Sequence, residues 1–167
     1  IPSAKEGALI ANHVYYGNPG DRLQGNWYMQ KAITVEGNDS FRGGLYARID
    51  ETGNIIEYAF ATAGTYFEAT KKGIKSIMED LKQPFGASED MKASIKIAKD
   101  ILKSVGDKEL TFVGHSKGAT EAAGNALATN KNALLYNPAA IYPSEYGLDA
   151  SNYTGFENIG MQIYVIE

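Results

Sequence analysis

The residues best suited to chemistry in this chain are five in a row, Gly114-His115-Ser116-Lys117-Gly118, which spell G-x-S-x-G. A serine hydroxyl at its ordinary pKa is a weak nucleophile. It needs an adjacent base and preorganised donors for the oxyanion that develops as it attacks a carbonyl. In a nucleophile elbow the serine occupies a strained corner between a strand and a helix, and the next backbone N–H supplies one donor. Here those groups are Ser116 and the N–H of Lys117. Such a corner is expected to thrust the hydroxyl out from the top edge of a sheet and to carry acyl transfer through a serine ester. The bare pattern is weak, with about 0.1 chance occurrences in a chain of this size. Its plainer reading is a Gly-rich turn, so the surroundings decide.

Leu110-Thr111-Phe112-Val113 is short, continuous and β-prone, as a strand buried on both faces should be. After Ser116, the run from Ala119 to Thr129 is Ala-rich and helix-prone. Strand in and helix out is the context an elbow demands. Gly114 and Gly118 leave room where that helix crosses neighbouring strands, and Ala119, Ala122 and Ala123 extend the small surface. A second oxyanion donor must come from a loop after an earlier strand. Ala63-Gly64-Thr65, following Tyr58 to Ala61, is best placed, with an N–H and a hydroxyl on Thr65. The same tripeptide also reads as an ordinary strand-to-helix turn with Thr65 as N-cap.

The remaining elements frame this centre. A short helix over Ala4 to Val14 precedes a turn-rich loop, and Ala32 to Val35 is a short strand. Gly44 to Ile49 and Ile55 to Phe60 flank a turn at Asp50 to Asn54 and read as a hairpin. Phe67 to Leu81 has helical spacing and stops at Gln83-Pro84; Tyr66 to Ser88 is a lid candidate or a plain surface helix. Met91 to Val105 forms a second apolar stripe, with Ser88 as candidate cap and Gly106 as stop. Ala133 to Tyr136 and Met161 to Ile166 complete the strands. The alternation predicts a single α/β domain over 1–167, with a largely parallel sheet flanked by helices.

Tyr58 to Thr65, then an amphipathic helix, then Thr111 to Gly118, resembles the class 3 lipase family of the α/β-hydrolase superfamily, with bacterial lipase-like relatives. The likeness runs from about Leu45 to Ile141, with Tyr136-Asn137-Pro138-Ala139 similar to the family strand that ends near a proline. It implies a serine hydrolase of carboxylic esters, lipase/esterase or phospholipase-like. Ser116 is then the nucleophile, with Thr65 and Lys117 as the oxyanion hole. Three positions depart from the pattern: Ala63 stands for the usual Arg, Lys117 for Leu, and Ala119 for the second Gly. Lys117 brings a cation close to the nucleophile, which implies an acyl pocket unlike that of a triglyceride lipase.

In this fold the triad runs Ser, then Asp or Glu, then His along the chain, and no His follows Ser116. Of the two His, His115 should point away from the hydroxyl and support packing, and His13 reads as structural. Asp149 and Glu167 are the acid candidates; each also reads as a solvated charge. The expectation is a chain trimmed at its C-terminus, short of acid and base. The alternative is a catalytically inactive lipase-like binding or assembly module.

Composition excludes other classes. The chain has 167 residues, 44% of them apolar and 22% charged, with a net charge of −4, which offers no basic stripe for nucleic acid. The absence of Cys removes disulfides, thiolate metal sites and a Cys nucleophile. No apolar run suggests a transmembrane segment. Two distant His and scattered carboxylates form no metal constellation, and no cofactor motif is present. The expected partner is an ester or lipid substrate. Compartment, secreted or bacterial cytoplasmic, and oligomeric state stay open.

Overall fold

Six strands form one sheet in sequence order: β1 (Trp27–Val35), β2 (Asn38–Ile49), β3 (Ile55–Thr62), β4 (Glu109–His115), β5 (Asn132–Tyr136) and β6 (Met161–Tyr164). This computed structural model describes residues 1–64, 87–138, 151, 153–154 and 160–165. The β1–β2 and β2–β3 pairs are antiparallel, while β3–β4, β4–β5 and β5–β6 are parallel. The sheet is therefore mixed, not largely parallel. Connection length explains the difference. Only Glu36 and Gly37 separate β1 from β2, and Asp50 to Asn54 separates β2 from β3. A parallel pair needs a crossover of about a dozen residues or more.

The first hairpin is longer than Ala32 to Val35 alone predicts. Exposed Lys31 pairs with Leu45, whereas exposed Asp39 and Ser40 lie at the register shift between Thr34 and Val35, without partners on β1. The second turn follows the sequence more closely. The Asp50 carboxylate accepts from the backbone N–H groups of Thr52 and Asn54, both at 2.9 Å, and Gly53 takes φ 86°.

Three α-helices are present among the described residues: α1 (Ala4–His13), α2 (Ala87–Val105) and α3 (Lys117–Thr129). A capping box starts α1, with Ser3 Oγ accepting from the Glu6 N–H at 3.1 Å and Glu6 Oε1 accepting from the Ser3 N–H at 2.9 Å. Ser88, expected as the cap of α2, lies inside that helix. Gly106 at φ 64° follows its last turn, and Asn130 at φ 58° closes α3. The expected helix over Phe67 to Leu81 and the Gln83-Pro84 stop lie outside the described residues.

The sheet separates two cores, because successive strand residues face opposite ways. Phe60 and Phe112 join Ala98, Ile101, Ala119 and Ala123 beneath α2 and α3. Their neighbours Ala59, Ala61 and Val113 join Ile10, Ala11 and Trp27 beneath α1. No helix among the described residues is long and apolar enough to cross a membrane.

Candidate active site

Ser116 stands between the end of β4 and the start of α3, at φ 64° and ψ −124°. A non-Gly residue in such a region costs about 1–3 kcal/mol and persists only where its surroundings over-determine it. Here they do. The Ser116 N–H donates to the Tyr136 carbonyl of β5 at 2.9 Å, and its own carbonyl accepts from the Ala119 N–H at 3.0 Å.

The flanking glycines are a steric requirement. A Cβ on Gly118 would lie 2.9 Å from the Thr62 carbonyl carbon and 3.0 Å from that of Ala63. A Cβ on Gly114 would lie 2.6 Å from the Ala119 nitrogen. The first turn of α3 thus crosses β3 and β4 with backbone on backbone. Thr62 Oγ1 donates to the Gly118 carbonyl at 2.6 Å and fixes the crossing.

Burial departs from the sequence-based expectation. Ser116 is only 1% exposed, so the corner does not present it openly at the sheet edge. Lys117 departs too. Its ammonium pairs with Asp90 Oδ2 on α2 and stands 3.8 Å from Glu121 Oε1, one turn along α3. The cation is committed to this inner cluster.

Asp90 also accepts from Asn38 Nδ2 at 2.7 Å and from Ser40 Oγ at 2.9 Å. Burial opposes its charge, yet the hydrogen bonds from Lys117, Asn38 and Ser40 outweigh that and hold the carboxyl below its ordinary range. Glu121 differs. Neither of its carboxyl oxygens has a hydrogen-bond partner among the described residues. Burial pushes its pKa well above the usual carboxylate value, the Lys117 charge opposes this, and the Asp90 charge adds to it. Nearby, Ser94 Oγ donates to Asn125 Oδ1 at 2.9 Å. The Lys117–Glu121 spacing was readable from the sequence; the Asp90 partner was not.

The end of β3 touches this corner. A Cβ on Gly64 would lie 3.6 Å from both the Gly118 nitrogen and Lys117 Cβ. Thr65, Asp149 and Glu167 lie outside the described residues, as does most of the lid candidate.

Each of the two His has partners of its own. The His115 ring is half-buried and packs edge-on against Tyr15 with centroids 6.5 Å apart, and burial lowers its pKa. His13 is buried, with Nδ1 2.6 Å from Tyr46 Oη and Nε2 2.9 Å from Asp21 Oδ2, and it braces α1 against β2. A backbone bond from Asn18, then the His13 contact, holds the Asp21 carboxyl below its ordinary value. Among the described residues no group of three or more His, Asp or Glu side chains could hold a metal ion.

No family model matches the chain, and no curated protein does. Among solved structures it is similar to the extracellular lipase LipA from Serratia marcescens, at 14% identity and a TM-score of 0.45. That match covers 93% of this chain and 26% of the lipase. It is also similar to MDLA from Penicillium cyclopium in its N225Q mutant form, at 17% identity and a TM-score of 0.40, over 80% of this chain and 57% of that one. Likenesses this loose bear on neither activity nor substrate.

Proposed function

We propose that the chain is a lipase-like serine hydrolase of carboxylic esters, with lipids or phospholipids as the substrate class. One observation carries the reading: Ser116 is held at φ 64° and ψ −124° between β4 and α3, with Gly114 and Gly118 tight against backbone on either side. A fold maintains such strain where a side chain must be aimed. In the reaction, Ser116 Oγ bonds to the ester carbonyl carbon as the ester C–O bond breaks, and the serine's proton ends on the departing alcohol. The alcohol leaves, and water then cleaves the acyl-serine. The Lys117 N–H is the first oxyanion donor and Thr65 the second; the 3.6 Å that would separate a Cβ added at Gly64 from Lys117 Cβ supports the pairing. Asp149 and Glu167 are the acid candidates in this reading.

A fluorophosphonate probe tests this directly. The reading requires adduct on Ser116 of the wild-type chain and none in Ser116→Ala; equal labelling of the two proteins refutes it. The rival reading, an inactive binding or assembly module, is favoured by the burial of Ser116. It requires no labelling of the wild type at all.

A further inference from the structure

Tyr15 follows α1, and its hydroxyl reaches the end of the sheet where β3 and β4 stop pairing. The last partners of that ladder are Thr62 and Gly114. Beyond them the Gly64 N–H donates to Tyr15 Oη at 3.1 Å, and Tyr15 Oη donates to the His115 carbonyl at 3.4 Å. One side-chain oxygen therefore spans the gap that a further pair of backbone groups would have closed. The positions it joins are specific. Gly64 immediately precedes Thr65, and His115 immediately precedes Ser116.

Two further observations fit a fixed clamp. The Tyr15 ring packs edge-on against His115, so the phenol is oriented by its body as well as its tip. Burial raises its pKa to about 12, while the Gly64 bond lowers it and the Glu121 charge raises it. The hydroxyl thus keeps its proton at neutral pH, which the bond to His115 requires.

We propose that Tyr15 is a positioning residue: its hydroxyl acts as one extra rung that sets how far the backbone at Gly64 stands from the elbow that carries Ser116 and the Lys117 N–H. The rung stands on the geometry above; its effect on chemistry rests on the hydrolase reading. Small displacements matter in such a site, since about 1 Å of misplacement can cost roughly 10²-fold in rate.

Tyr15→Phe keeps the ring and deletes the rung. Amide exchange followed by NMR on the whole chain should show the Gly64 N–H exchanging about tenfold faster, the loss of one net hydrogen bond. The Ser116 N–H, held by Tyr136, should be unchanged. Wild-type exchange at Gly64 overturns the rung. In parallel, the limiting rate of fluorophosphonate labelling should fall about tenfold with the probe's half-saturating concentration unchanged. Faster Gly64 exchange with an unaltered labelling rate overturns the positioning role. A wild type that does not label overturns the hydrolase reading instead, and Gly64 exchange still judges the rung. Tyr15→Leu, which also loses the ring, should reproduce the Gly64 acceleration if the hydroxyl alone is responsible.

Discussion

The Lys117 ammonium and the Asp90 carboxylate meet inside the protein, joining the first turn of α3 to the first turn of α2. Both side chains are nearly inaccessible, at 8% and 3% exposure. The residue that follows the candidate nucleophile is thereby tied to an element far from it in sequence.

Breaking this pair from one side should be severe. Among the described residues, Lys117→Met leaves the buried Asp90 charge with only Asn38 and Ser40 as donors, and the expected loss is about 3–5 kcal/mol. Adding Asp90→Asn should recover most of that, because the orphaned charge is gone. A double-mutant cycle in urea measures the coupling. Additive losses would show that the two residues do not act as a pair.

Glu121 predicts a pH dependence of the opposite sign to an ordinary carboxylate. Its pKa is raised in the folded protein, so the fold binds that proton more tightly than the unfolded chain does. The benefit is complete below the unfolded value of about 4.3 and declines as pH rises toward the folded value. Glu121→Gln removes this penalty. It should therefore stabilise the protein at pH 8 relative to wild type, with the gain shrinking toward pH 4. Denaturation midpoints at both pH values check it; a pH-independent difference would contradict a neutral Glu121.

Strain at Ser116 has its own signature. Ser116→Ala and Ser116→Gly both delete the hydroxyl, but only glycine adopts φ 64° and ψ −124° without cost. The Gly variant should exceed the Ala variant by about 1–3 kcal/mol in unfolding free energy. Equal stabilities would mean that the corner is relaxed.

The strand–corner–helix unit was legible because its causes are local. Small residues at Gly114, Gly118, Ala119 and Ala122 announce a close crossing, and the β-prone run before them announces its direction. Ser3 and Glu6 carried a capping signal of the same local kind. The polar ribbon formed by β1 and the start of β2 was hidden. Lys31 is extended because β2 pairs with it, and Asp39 and Ser40 sit at an irregularity of the same ladder that neither residue's own preference announces. The inner charges were hidden for a related reason. A Lys four residues before a Glu normally marks a wet helix face, whereas here Lys117 and Glu121 are buried, with Asp90 of α2 beside the Lys117 ammonium. Tyr15 gave no periodic signal at all, since its role depends on where two strands happen to end.

The meeting of Gly118 with Thr62 leaves α3 no cushion on which to slide. The serine corner is an anvil bolted to the sheet, and adjustment to a guest molecule has to come from whatever lies over it. Divergence toward new guests should accordingly spare this crossing and accumulate around its rim.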